Sequence, residues 1–263
     1  MKDKFSYFDM LAYFAPGLVV LWACQQSFRF VGLSTYFHMD NWAFESVVGV
    51  VFAFVLGQIV SARARVRFEV NASPFRSPVF NSGLISENFL LKDRMVAGHR
   101  LCEEERREML IEMAISYCGL SRQEAGKLEA WTEQIYKSHQ ISHRIYRPLL
   151  TLVVDEGIGT KAEIMNLRYV FFRNLNVASA YVSCFFVISA GYNYYQHVTL
   201  TDARIILPLA LALVFALTSV MSRNEAVHSA LNHVREVFDS AHHFYSKQPS
   251  AVVKRKGRYD VSE

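Results

Sequence analysis

His139 and His143 stand four residues apart, the spacing at which two imidazoles on one helix face share a metal ion. Hydrolysis of the HExxH kind also needs a glutamate directly after the first histidine as general base, and Gln140 occupies that place. A third ligand at a matching spacing is lacking, so the pair is only a weak metal candidate, and the expectation is a protein with neither metal nor cofactor. Cys24, Cys102, Cys118 and Cys184 show no CxxC spacing, which argues against a zinc cluster or a disulfide framework. The sequence holds no glycine-rich phosphate loop, Ser/His/Asp arrangement or nucleophile elbow. Glu103-Glu104-Glu105 followed by Arg106-Arg107 reads as a solvated helix face with charge pairs one turn apart. No catalytic residue is assigned, nor any direct nucleic-acid-binding signal, and the chain is expected not to be an enzyme.

The remaining polar residues of interest fall in or beside apolar runs. Arg173 lies at the edge of one such run and Asp9 at the same depth on the first, so the two are expected to form a structural or gating clasp. Small residues at helical spacing, Gly49, Ala53 and Gly57 on one segment and Ser179 and Ser183 on another, predict faces where helices pack closely.

The elements that would position these residues are long helices. Residues 177–191 are apolar or small and residues 205–221 nearly all aliphatic, enough for each to cover a hydrocarbon core of about 30 Å. Thr160 followed by Glu163 has the form of a capping box, so a helix is expected over residues 160–195, beginning well before its apolar part. Pro208 sits in the first turns of the next helix. Beyond Met221 an apolar stripe continues through Ala226, Ala230, Leu231, Val234, Phe238 and Ala241, which predicts that this helix leaves the membrane and docks against a soluble partner through Val234 and Phe238.

Two earlier spans are expected at residues 9–28 and 43–62, with the hairpin's spans at 175–195 and 204–222. Leu21-Trp22-Ala23-Cys24 loosely has the shape of a lipoprotein signal, but Trp22 stands where a small residue belongs. Residues 63–159 read as a soluble helical domain: a broken connector with Pro74 and Pro78, a helix over 101–118, and a helix opened by Ser121 and Glu124, carrying Trp131, Ile135 and Ile145 and closed by Pro148. Residues 248–263 form a basic tail expected to be disordered. The 52% hydrophobic content and mean hydropathy of +0.13 suit spans plus a soluble part. Lys2, Lys4, Arg63, Arg65, Arg67 and Arg223 lie on one side of the spans and Arg29 and Arg204 on the other, which puts both termini and the middle domain in the cytoplasm. The fold expected is thus all-α: a four-span helical bundle with a cytoplasmic helical domain and a long hairpin, residues 160–247, serving both.

Three short motifs resemble those of a loosely defined group of uncharacterised bacterial four-span inner-membrane proteins. These are Tyr13-Phe14-Ala15-Pro16-Gly17 in the first span, Gly57-Gln58 in the second, where the group often has histidine after the glycine, and Phe171-Phe172-Arg173-Asn174 at the start of the third. The resemblance implies a bacterial inner-membrane protein and assigns no activity. By architecture the chain is also similar to membrane effectors or sensors of phage-defence systems. The function expected is that of a sensor: the cytoplasmic domain binds a protein partner or signal and acts on the bundle, which contacts the bilayer and forms a homo-oligomer. The alternative is a subunit of a channel or small-solute transporter.

Overall fold

In a computed structural model of the chain, residues 7–32, 42–68, 95–96, 99–100, 104–118, 122, 135–196, 199 and 201–247 are described. They form six helices and one minimal hairpin: α1 (Tyr7–Phe30), α2 (Trp42–Phe68), β1 (Met95–Val96) paired antiparallel with β2 (His99–Arg100), α3 (Glu104–Cys118), α4 (Ile135–Asp155), α5 (Thr160–Tyr195) and α6 (Ala203–Lys247). They fall into two compact units, one within Met1–Ala72 and Leu167–His228, the other within Ser73–Asn166 and Ser229–Glu263. The boundary cuts through α5 and α6, so the start of α5 and the end of α6 belong to the second unit.

Among the described residues three helices are long and apolar enough to cross a membrane: α2 from Val47, α5 and α6. The expectation of four is met only in part. In α1 the aliphatic run is diluted by Tyr13, Pro16, Gly17, Gln25 and Gln26, and the helix falls short. Cys24 lies inside α1, which continues to Phe30. The first unit exposes Ile188 (67%), Leu213 (62%) and Met221 (69%), among other large apolar side chains. A belt of this kind on a folded surface marks contact with lipid or with another protein.

Two prolines lie inside helices of the first unit, and α5 answers both. Proline has no N–H, so the carbonyl four residues before it loses its helical donor. For Pro16 that carbonyl belongs to Ala12, and Asn174 Nδ2 donates to it at 3.0 Å. For Pro208 it belongs to Arg204, and Asn193 Nδ2 donates to it at 2.8 Å. Asn193 also reaches Phe30 O, one of the end carbonyls of α1, at 3.2 Å. Neighbouring side chains that take up freed backbone groups are what make proline tolerable in a span.

The second unit packs differently. Leu110 and Met113 of α3, Ile145, Leu149, Leu152 and Val153 of α4, and Leu231, Val234, Val237, Phe238 and Ala241 of α6 are all buried. Pro148 does not close α4, contrary to the sequence expectation: the helix runs on to Asp155, because the apolar face it shares with Ile145 continues through Leu149 and Leu152. The stop is Gly157, at φ +67°. Its N–H reaches Val154 O at 3.1 Å, and Ile158 N–H reaches Val153 O at 3.1 Å, the paired bonds of a Schellman motif. Glu163 N–H bonds to Gly159 O at 2.8 Å, so α5 is entered at Gly159, and Thr160 is its first helical residue rather than its cap. Ser121, Glu124, Trp131 and the tail 248–263 lie outside the described residues.

Candidate functional site

The first unit holds a cavity of about 360 Å³ lined by Tyr13 of α1, Gln58, Ser61, Ala62 and Arg65 of α2, and Arg173 of α5. The four α2 residues recur at i, i+3, i+4 and i+7, so one helix face supplies them all. That face is brought against α1 by a crossing too tight for any residue but glycine at two positions. A Cβ on Gly57 would overlap Tyr13 O, and one on Gly17 would overlap Ala53 O. Ala53 is itself fully buried. Gly49, expected on the same close-packing face, has open space where a Cβ would stand.

Arg173 is 6% exposed, and its guanidinium lies 5.3 Å from the centre of the Tyr169 ring. The neighbouring Asn174 bond to Ala12 O fixes the rotation of α5 about its axis, which turns Arg173 to the cavity lined by α1 and α2. Among the described residues Asn174 Oδ1, which is buried, has no hydrogen-bond partner. The side chain of Asp9, the expected partner of Arg173, lies outside the described residues, as do the side chains of His139 and His143. No family model, curated protein or solved structure matches the chain.

Farther along α5, Asn176 Nδ2 donates to Ser219 O at 2.6 Å and to Ser219 Oγ at 2.9 Å, and Ser219 Oγ donates back to Asn176 O at 3.0 Å. Ser183 Oγ donates to Ala212 O at 2.9 Å, while Ser179 Oγ is buried with no hydrogen-bond partner among the described residues. These bonds tie α5 to α6, giving the two predicted serines different situations.

The second unit holds a buried polar chain that the sequence reading missed. His233 Nδ1 lies 2.8 Å from Ala162 O, a pure acceptor, so this nitrogen carries the proton. Tyr146 OH, 2.8 Å from His233 Nε2, then donates to the lone pair there. Burial pushes the His233 pKa down, against a smaller opposing effect of the Ala162 bond, and pushes Tyr146 up to about 12. Both effects favour the neutral pair. Tyr146 also lies against Phe238, ring centres 6.3 Å apart. Two ion pairs flank the chain: Lys161 with Glu236 at 2.7 Å, and Arg106 with Asp239. His233 could have been found as a polar residue three positions from Ala230 and four from Val237, on the apolar stripe. Tyr146 gave no comparable signal, because its pairing spans most of a hundred residues of chain. Among the described residues no group of His, Cys, Asp and Glu is arranged to hold a metal ion.

Proposed function

We propose that the chain is a multi-span inner-membrane protein in which the second unit receives a protein partner or signal and passes it along α5 and α6 to the bundle. The observation that carries this reading is the continuity of those helices. At about 1.5 Å per residue, the 36 residues of α5 extend about 54 Å and the 45 of α6 about 67 Å, well beyond a hydrocarbon core of about 30 Å. Each leaves its apolar segment without a break and ends in the buried core of the second unit. In the bundle α5 holds the proline-freed carbonyls of α1 and α6 through Asn174 and Asn193. A rotation or shift of α5 alters both bonds at once, so a local event in the second unit has a route to helices it need not touch. The excess of basic residues on one side of the spans supports a cytoplasmic position for the termini and the second unit. A role in phage defence is an extension by architecture.

Site-directed spin labels in the apolar segments of α1 and α6, on the full chain in lipid nanodiscs, test the relay. Val234→Pro, which breaks α6 in the second unit, should change the distance between the labels, while a labelled chain carrying Val220→Ala in the exposed apolar belt should not. An unchanged distance in Val234→Pro would remove the relay. Phage plating on cells carrying the chain and its neighbouring genes, with and without Val234→Pro, tests the defence role separately.

A further inference from the structure

We propose that an exposed stripe of α2 binds one anionic phospholipid, with an acyl chain along Phe52, Leu56 and Ile59 and the phosphate on Arg63 and Arg67. These five residues recur at i, i+4, i+7, i+11 and i+15, so they follow one line along the helix. Ala53, Val60, Ala64 and Phe68 are buried and mark the face that α2 turns to the bundle; the stripe lies off that face. Phe52 is 57% exposed and Ile59 54%, and both arginines are exposed. At about 1.5 Å per residue, Phe52 and Arg63 stand about 16 Å apart along the axis, about half of a hydrocarbon core of about 30 Å. That is the depth of one leaflet. A single lipid therefore reaches from the apolar end of the stripe to its basic end, where arginines following a span meet headgroups.

Charge selects the occupant. Other arginines at this end of the bundle are engaged: Arg65 and Arg173 have interactions of their own, and Arg168 lies 4.0 Å from Glu225. Arg63 and Arg67 have no ion pair or side-chain hydrogen bond among the described residues, and α2 carries no acidic residue after Glu45. One turn apart on the same side, they offer two guanidinium forks, which match phosphate oxygens in bidentate geometry as a lysine ammonium does not. A zwitterionic lipid would bring a cation toward these two cations, whereas an anionic headgroup compensates them. A second copy of the chain is a poorer occupant. Around a two-fold axis along the membrane normal each residue of the stripe would meet its own counterpart, which sets Arg63 and Arg67 against like charges.

The inference rests on α2 crossing a membrane and not on the relay, so its test has two parts. Alkaline carbonate treatment of membranes should leave the chain in the pellet; its release would overturn the span and this proposal together. The full chain, purified in a non-ionic detergent, is then titrated with phosphatidylglycerol and, separately, with phosphatidylcholine of the same acyl chains, and native mass spectrometry reads the fraction with lipid bound. Phosphatidylglycerol should bind saturably and more tightly. Arg63→Gln and Arg67→Gln should each weaken it about fivefold and together about thirtyfold, in line with about 1 kcal/mol per basic residue at an anionic surface, with phosphatidylcholine binding unchanged. Both side chains are exposed, so these variants keep the fold, and Arg63→Lys with Arg67→Lys should recover only part of the loss. Arg29→Gln removes the same charge at the far end of α1 and should leave the preference intact. For a chain that carbonate does not release, equal affinity for the two lipids overturns the proposal, as does an equal loss in Arg29→Gln or a dimer that takes up no phosphatidylglycerol.

Discussion

Between Ala203 and Met221, α6 meets α5 through Ala212, Ser219 and a handful of polar bonds while most of its long aliphatic side chains are exposed; beyond Ser229 it buries Leu231, Val234, Val237 and Phe238 and sends its charges to the rim. One helix carries two opposite patterns. In water, removing apolar surface from solvent is the main driving force, worth about 25 cal/mol per Å². Between helices in lipid that force vanishes, because the tails are as apolar as leucine, and close contact of small residues with hydrogen bonds takes its place. The reversal of pattern near Ser222 is what a change of solvent along a continuous helix would produce.

The largest expected effect lies in the second unit. Phe238→Ala should cost the second unit about 3–5 kcal/mol, since a fully buried ring against Tyr146 leaves a cavity. Limited proteolysis in membranes would show it as rapid cleavage within α3 and α4, with the bundle still inserted. Protection equal to wild type would mean that the buried stripe is not what holds this unit.

Next comes the backbone repair in the bundle. Asn174→Ala leaves Ala12 O buried beside Pro16 with no donor, at a cost of about 1–3 kcal/mol. In a Pro16→Ala background the helix supplies its own N–H, so the same substitution should cost far less. A double-mutant cycle read from unfolding in detergent would test it, and additive costs would show that Asn174 does something other than satisfy that carbonyl. The pairing also links two of the short sequence motifs, Pro16-Gly17 and Arg173-Asn174, by a physical cause.

How much of this could be read from the sequence depended on range. The span of α5 and the stripe of α6 were legible because periodicity is local: Ala226, Leu231, Val234 and Phe238 announce their face by spacing alone. Gly49 and Gly57 could not be told apart, since only the approach of Tyr13 O makes one of them necessary. Pro148 looked like a stop because the cost of one missing hydrogen bond is visible in a sequence, whereas the gain from burying Leu149 and Leu152 is not. Asn174 and Asn193 were noticeable as polar residues near a span, but their purpose required knowing which carbonyls Pro16 and Pro208 had freed.

A third prediction separates the units by pH. The fold holds His233 neutral, with its pKa below the ordinary value of about 6.5. The unfolded chain therefore takes up the proton first on acidification. The contribution of His233 to stability is complete above about pH 6.5 and shrinks as pH falls from there toward the folded pKa. Protonation would also put a second N–H on the ring and force Tyr146 to turn from donor to acceptor. The bond to Glu236 moves the Lys161 pKa up, away from this window. Urea unfolding of the second unit monitored from pH 8 to pH 5 should show a loss of stability that His233→Gln flattens, with protection of the bundle unaffected. An equal slope in the variant would assign the acid sensitivity elsewhere.

The smallest expected effect sharpens the comparison most, because it lies in the same bundle as Asn174 and uses the same kind of bond. Ser183 Oγ donates to Ala212 O at 2.9 Å, about as short as the Asn174 bond to Ala12 O at 3.0 Å. Distance alone predicts equal worth. The acceptors differ, however. Residue 216 is an alanine with an N–H, so Ala212 O keeps its helical donor within α6 whether or not Ser183 is present. Ser183→Ala therefore strands nothing, and removes a hydroxyl that in another membrane helix arrangement would find a partner in its own backbone. Its cost should be about 0.6 kcal/mol, the average for such interhelical bonds in lipid, and well below that of Asn174→Ala. Unfolding both variants side by side in one detergent decides the matter. If Ser183→Ala costs as much as Asn174→Ala, the freed carbonyl beside Pro16 is not the reason Asn174 matters, and the bundle would be held by its hydrogen bonds in general rather than by the repair of its two prolines.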